Sequence, residues 1–146
     1  MRSLGIDYGE KRIGLAVSDP LGMFAQPLQA IEVGGDFAAA AARIVEIAEE
    51  YEAEELVIGL PKNLDDTIGF KAEEALAFKR LLEEKTSQPV IPWDERLSTV
   101  QAERHLRQTG WSRRKRARKV DMVAAGIILQ GYLDFLAKAG RTKDPS

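Results

Sequence analysis

No cysteine occurs among the 146 residues, so disulfides, thiolate catalysis and cysteine-ligated zinc or iron–sulfur centres are excluded. A single histidine, His105, rules out a multi-histidine metal centre within one chain and leaves a Ser-His-Asp triad only one candidate base. No apolar run approaches the roughly 20 residues of a membrane span, and the N-terminus lacks the apolar stretch of a signal peptide. Neither sign of charge dominates: 21 Lys and Arg face 23 Asp and Glu, a net −2 that argues against a generic nucleic-acid coat. The expectation is a soluble, cytoplasmic protein with no membrane partner. What is present fits one domain with a real core, since 45% of residues are hydrophobic and 30% charged. That domain is expected over residues 1–138, with 139–146 a flexible tail.

The positive charge is concentrated. Residues 113–119 (Arg113, Arg114, Lys115, Arg116, Ala117, Arg118 and Lys119) hold six cations in seven positions, leaving the rest of the chain at −8. Hydrophobic patterning predicts strands at Leu4 to Asp7 and Ile13 to Val17 with a hairpin between them, and a third at Leu28 to Val33. Asp36 follows two glycines and is placed to cap a helix reaching about Tyr51. The apolar run Leu56 to Leu60, stopped by Pro61, reads as a strand buried on both faces. A helix from about Ile68 to Lys85 follows, then a short strand Val90 to Trp93 that Pro92 demotes towards an edge. Further helices are expected from about Ser98 to Gln108 and from about Val120 to Ala137. Three strands, then alternating helices and strands, imply an α/β fold with a mixed sheet flanked by helices.

Three acidic positions are expensive. Asp7 ends an apolar strand, Glu95 and its neighbour Asp94 directly follow another, and Asp121 shares a helical stripe with Ala124, Ala125 and Ile128. A desolvated carboxylate needs an arginine, backbone N–H groups or a metal ion as partner. Carboxylates at strand ends and on an adjacent helix can converge at the rim of a sheet, and an oxygen-only cluster suits Mg²⁺ or Mn²⁺. Structural readings stand beside this one. Asp7 can satisfy turn amides, and Asp121 can serve as a first-turn residue favoured by the helix dipole.

The motifs Leu4-Gly5-Ile6-Asp7-Tyr8-Gly9, Lys11 to Asp19, Val57-Ile58-Gly59-Leu60-Pro61, Asp94-Glu95-Arg96-Leu97-Ser98-Thr99 and Asp121-x-x-Ala124-Ala125-x-Ile127-Ile128-Leu129 occur in this order. Together they resemble the YqgF or RuvX family of bacterial pre-16S rRNA nucleases, earlier proposed to be Holliday-junction resolvases, over essentially residues 1 to 138. The resemblance implies a ribonuclease-H-like fold whose five-stranded mixed sheet begins with three antiparallel strands. It implies Asp7, Glu95 and Asp121 as catalytic residues and ligands of two divalent ions, Mg²⁺ or Mn²⁺, one activating a water and the other stabilising the leaving oxygen. The chain departs from the family pattern at Asn63-Leu64-Asp65-Asp66-Thr67, where Asp66 stands at a frequent glycine, and at Tyr8, where a smaller apolar residue is common. Tyr8 either stacks on a base or packs.

The cations Arg113, Arg114, Lys115, Arg116, Arg118 and Lys119 lead into Asp121 and are expected to contact phosphates, a solvated face being the plainer alternative. Lys11 and Arg12 follow Asp7 and either touch the substrate backbone or form a surface salt bridge. Trp111 stacks or packs, Arg96 is placed to orient Asp94 or Glu95, and His105 reads as a helix-surface residue. The expected activity is a metal-dependent nuclease on RNA, processing the 5′ end of pre-16S rRNA in a ribosome-assembly context. A junction resolvase on branched DNA is the alternative within the enzyme class and needs a twofold homodimer. A non-catalytic helix-turn-helix module over Leu97 to Lys119 would leave the three carboxylates unexplained. An ATPase like the actin and sugar-kinase folds would need a second such domain.

Overall fold

Strand pairing starts at the N-terminus, where short apolar runs are separated by polar turns too tight for a helix. The computed structural model describes residues 1–60, 70–94 and 113–139. In it β1 is Ser3–Asp7, β2 Arg12–Ser18 and β3 Ala25–Glu32, followed by α1 Phe37–Glu50, β4 Glu55–Leu60, α2 Phe70–Lys85, β5 Val90–Asp94 and α3 Arg113–Lys138. The sheet order is β3-β2-β1-β4-β5. β1 and β3 both pair antiparallel with β2, whereas β4 pairs parallel with β1 and with β5. This is the five-stranded mixed sheet expected, with its first three strands antiparallel. β4 is buried along its whole length, and β5, carrying Pro92, forms an edge.

Two boundaries differ from expectation. β3 begins at Ala25 rather than Leu28. The Asp19 carboxylate accepts from the backbone N–H groups of Met23 and Phe24 at 2.7 and 2.8 Å, which closes the turn early enough for Ser18 to pair with Ala25. The register then shifts between Leu15 and Ala16, whose partners are Gln29 and Pro27. Leu28 is thus the extra residue of a bulge, which relieves the ladder beside a proline that has no N–H.

The last helix begins at Arg113, not near Val120. Arg, Lys and Ala are strong helix formers, and here that propensity outweighs the repulsion among like charges. Asp121 therefore lies in the third turn of α3, not at its opening, and the first-turn dipole reading of that residue is removed. By contrast α1 starts where expected: Asp36 is its N-cap, and its side chain accepts from the Ala39 N–H at 3.0 Å.

The two sheet faces carry separate cores. On one, Leu4, Ile6, Ile13, Leu15, Leu56 and Ile58 pack against Ile44 and Ile47 of α1 and Phe78 and Leu82 of α2. On the other, Ala16 and Val57 pack against Ala125, Ile128, Leu129, Tyr132 and Leu133 of α3. The expected helix at 98–108, the segment Asn63 to Thr67, the start of the helix expected from about Ile68 and the tail beyond Ala139 lie outside the described residues. Among those described, no helix is long and apolar enough to cross a membrane.

Candidate nuclease site

Small residues on the sheet decide how closely α3 approaches it. A Cβ on Gly5 would lie 2.8 Å from Leu129 Cβ and 3.0 Å from the Ala125 carbonyl oxygen, so the helix lies directly over this position. Strand alternation puts Asp7 on the same face as Gly5, about 6.6 Å further along β1. On α3 the step from Ala125 back to Asp121 is one turn, about 6 Å. The two steps match, and Asp7 and Asp121 arrive at the same end of the sheet.

Gly14 fixes that meeting. It is the cross-strand partner of Asp7, and a Cβ there would overlap the Asp121 carbonyl group. The backbone of α3 therefore rests on β2 at a position where β2 has no side chain. The sequence signal for this is a glycine inside an apolar strand, a pattern that marks close backbone approach.

Asp7 is buried, with 7% of its surface exposed. Asp121 is partly buried, as expected for a residue on the apolar stripe of Ala124, Ala125 and Ile128, which are all fully buried. Its Oδ2 accepts from Arg12 Nε at 2.9 Å. Burial raises the Asp121 carboxyl above the usual carboxylate range. The hydrogen bond and charge of Arg12 pull it back down, and the charge of Glu32 adds to the rise. Glu32 is the cross-strand partner of Arg12, so the guanidinium stands beside two acids. Neither this role of Glu32 nor the pairing of Arg12 with Asp121, 109 residues away, is visible in the sequence. Arg12 opens β2 and pairs with Asp121, so of its two expected roles the structure shows the salt bridge, made to the helix carboxylate with both side chains partly exposed.

At the same end of the sheet β5 finishes on Asp94, paired with Leu60 of β4. β4 lies between β5 and β1, so Asp94 stands roughly 10 Å across the sheet from β1. Glu95, Arg96, His105 and Trp111 lie outside the described residues. Among the described ones no group of three His, Cys, Asp or Glu is close enough to hold a metal. Asp7 and Asp121 nevertheless supply hard oxygen donors from two elements at one rim, a donor set suited to Mg²⁺ or Mn²⁺. A cation there would also offset the cost of two desolvated acids.

Tyr8, next to Asp7, packs. Its ring lies 6.0 Å from Phe37 and 5.2 Å from Phe78, centroid to centroid. Nothing in the local pattern around Tyr8 points to these distant partners. Burial raises its phenol above the usual value, and the charges of Glu74 and Glu10 add to the shift. Lys11 is exposed in the β1–β2 turn. Residues 113–119 form the first two turns of α3, so the basic run and Asp121 belong to one continuous helix.

Comparison with known proteins identifies the family and the fold. The family described as RuvX, Holliday junction resolvase, matches residues 1–135. A protein of Acetivibrio thermocellus is 46% identical over 139 residues, covering 94% of this chain and 99% of its own length. One from Desulforamulus reducens is 46% identical over 141 residues, covering 94% and 100%, and one from Geobacillus sp. is 47% identical over 137 residues, covering 92% and 98%. Each bears the name "Putative pre-16S rRNA nuclease". Among solved structures, T. thermophilus RuvC in complex with Holliday junction substrate superposes with a TM-score of 0.57 at 18% identity, covering 96% of both chains. That likeness establishes the ribonuclease-H-like fold.

Proposed function

This chain belongs to the RuvX Holliday junction resolvase family, and from that membership we propose that it is a divalent-metal-dependent nuclease that processes the 5′ end of pre-16S rRNA. The observation that carries the reading is the convergence of Asp7 from β1 and Asp121 from α3 across Gly14. The names of the close relatives support RNA as substrate.

In this reading Asp7, Asp121 and Glu95 hold Mg²⁺ or Mn²⁺. When bound, such ions activate a water and stabilise the leaving oxygen of an in-line displacement. The protein's own contributions are distinct. Asp7 ends a strand that is paired on both sides, so its carboxylate needs little reorganisation. Arg12 orients Asp121 and opposes the rise that burial imposes on its carboxyl. The cations Arg113, Arg114, Lys115, Arg116, Arg118 and Lys119, at the N-terminal end of α3, and Lys11 in the neighbouring turn bind the substrate's phosphates and guide the backbone along the helix towards Asp121.

A junction resolvase is the second reading, favoured by the family's description and by the RuvC likeness. It requires two sites related by a twofold axis. The discriminating experiment incubates the protein with labelled single-stranded RNA, single-stranded DNA and a four-way DNA junction, each with Mg²⁺, Mn²⁺ or EDTA. Metal-dependent cutting of RNA is the expected result. Symmetric nicking of the junction alone would establish the resolvase instead, and binding without cutting under every condition would leave a non-catalytic nucleic-acid module.

A further inference from the structure

Arg12 has more hydrogen-bonding capacity than its salt bridge uses. A guanidinium carries five N–H donors in a planar fork. Among the described residues one of them is committed, the Nε–H that donates to Asp121 Oδ2 at 2.9 Å. The side chain is 30% exposed, and neither Nη1 nor Nη2 is among the buried nitrogens left without a partner. Those two nitrogens therefore reach water at the rim where Asp7 and Asp121 arrive. Glu32 is the partner of Arg12 across the ladder, yet the guanidinium pairs with the helix carboxylate, which keeps it at the candidate site. A bridge that served stability alone would gain from the two-bond fork that arginine and carboxylate favour. Here one nitrogen meets one oxygen.

We propose that Arg12 is a phosphate-binding residue of this site: Asp121 holds its Nε, and Nη1 and Nη2 take the oxygens of a substrate phosphate at the same rim. The inference rests on the nuclease reading for its substrate, and on the Arg12–Asp121 geometry for the contact. It joins the two roles expected of Arg12, because the salt bridge aims the fork that then meets the backbone.

Charge and entropy both favour the arrangement. Three acids, Asp7, Asp121 and Glu32, stand at this rim, and a phosphate can approach them only where positive charge is interposed. Arg12 supplies that charge from the chain itself. A long side chain loses rotamer freedom when it binds, but the bridge to Asp121 has already restricted this one, so less remains to be lost. Phosphate presents two oxygens that match the guanidinium fork. A lysine has one nitrogen, which cannot both pair with Asp121 and offer a two-point fork.

The test measures binding of fluorescently labelled single-stranded RNA to the full chain by anisotropy, in EDTA so that metal-dependent cleavage is suppressed. Arg12→Gln and Arg12→Lys should each weaken binding about tenfold, equivalent to about 1.4 kcal/mol, while their amide NMR spectra retain the native pattern. The lysine variant is decisive because it keeps a positive charge beside Asp121. Native affinity in Arg12→Lys would reduce Arg12 to a charge, and native affinity in Arg12→Gln would leave it a support for Asp121 alone; either result would overturn the proposal. The Arg12 side-chain resonances give a second reading. Nε–H should stay in place on addition of RNA while the Nη signals shift, and loss of the Nε–H bond would show a released guanidinium and overturn the anchored fork. Cleavage in Mg²⁺ is scored separately. Weakened RNA binding in both variants of a chain that cuts nothing keeps the phosphate contact and removes the nuclease, whereas metal-dependent cutting with RNA binding unmoved by either substitution does the reverse.

Discussion

Asp121 carries the clearest residue-level consequence, because two opposing influences act on it: burial raises its carboxyl and Arg12 lowers it, with the net shift upward. A folded value above the unfolded one means that the native state holds the proton more tightly. The ionised carboxylate then costs stability, absent at pH below the unfolded value and growing as pH rises through the window up to the folded value. In EDTA, urea unfolding of the native chain relative to Asp121→Asn should show a stability difference that declines as pH rises from the ordinary carboxylate range. Arg12→Gln should steepen the decline, since it removes the influence that opposes burial. A difference that grows with pH would mean that Arg12 outweighs desolvation. Gly14 offers a second test at this scale. Gly14→Ala drives a methyl into the Asp121 carbonyl, and overpacking of this kind costs about 1–3 kcal/mol. Thermal unfolding should register the loss; an unchanged melting temperature would show that α3 does not bear on β2 there.

Most elements can be read from local pattern, and the exceptions share a cause. Asp36 as the cap of α1, β4 buried on both faces and Pro92 on an edge strand each follow from a few adjacent residues. The start of β3 does not, because it depends on the Asp19 turn and on Ala25 N–H donating at 2.8 Å to Gln130 Oε1 of α3, 105 residues away. The start of α3 escapes local reading because seven residues with six like charges look like solvated loop, while their intrinsic propensity is helical. Extending α3 back to Arg113 makes the basic run one arm of the element that presents Asp121. Neutralising Arg113, Arg114 and Arg116 together should weaken RNA binding and flatten its dependence on salt. The log–log slope should fall by about 0.7 for each phosphate of a single strand that is no longer neutralised. Filter binding across a salt series checks this, and an unchanged slope would return the run to a merely solvated surface.

Across the whole molecule, the five-stranded sheet acts as a ruler. Parallel pairing of β1, β4 and β5 brings their C-terminal ends to one rim, and α3, pressed close by Gly5 and Gly14, delivers a carboxylate from outside the sheet to that rim. That Asp7 and Asp121 occupy expensive positions and can converge at the rim is legible in the sequence; the close approach of α3 over Gly5 and Gly14 that brings them there is a property of the assembled fold. Removing either should therefore disable one centre rather than two separate contributions. Single-turnover cleavage of labelled RNA in Mg²⁺ by the native chain, Asp7→Asn, Asp121→Asn and the double variant tests this most directly. Each single variant should lose roughly 10³-fold or more in rate, and the double variant should lose little beyond that, as residues acting as a unit do. Full activity in either single variant, or losses that multiply in the double, would contradict a shared catalytic centre.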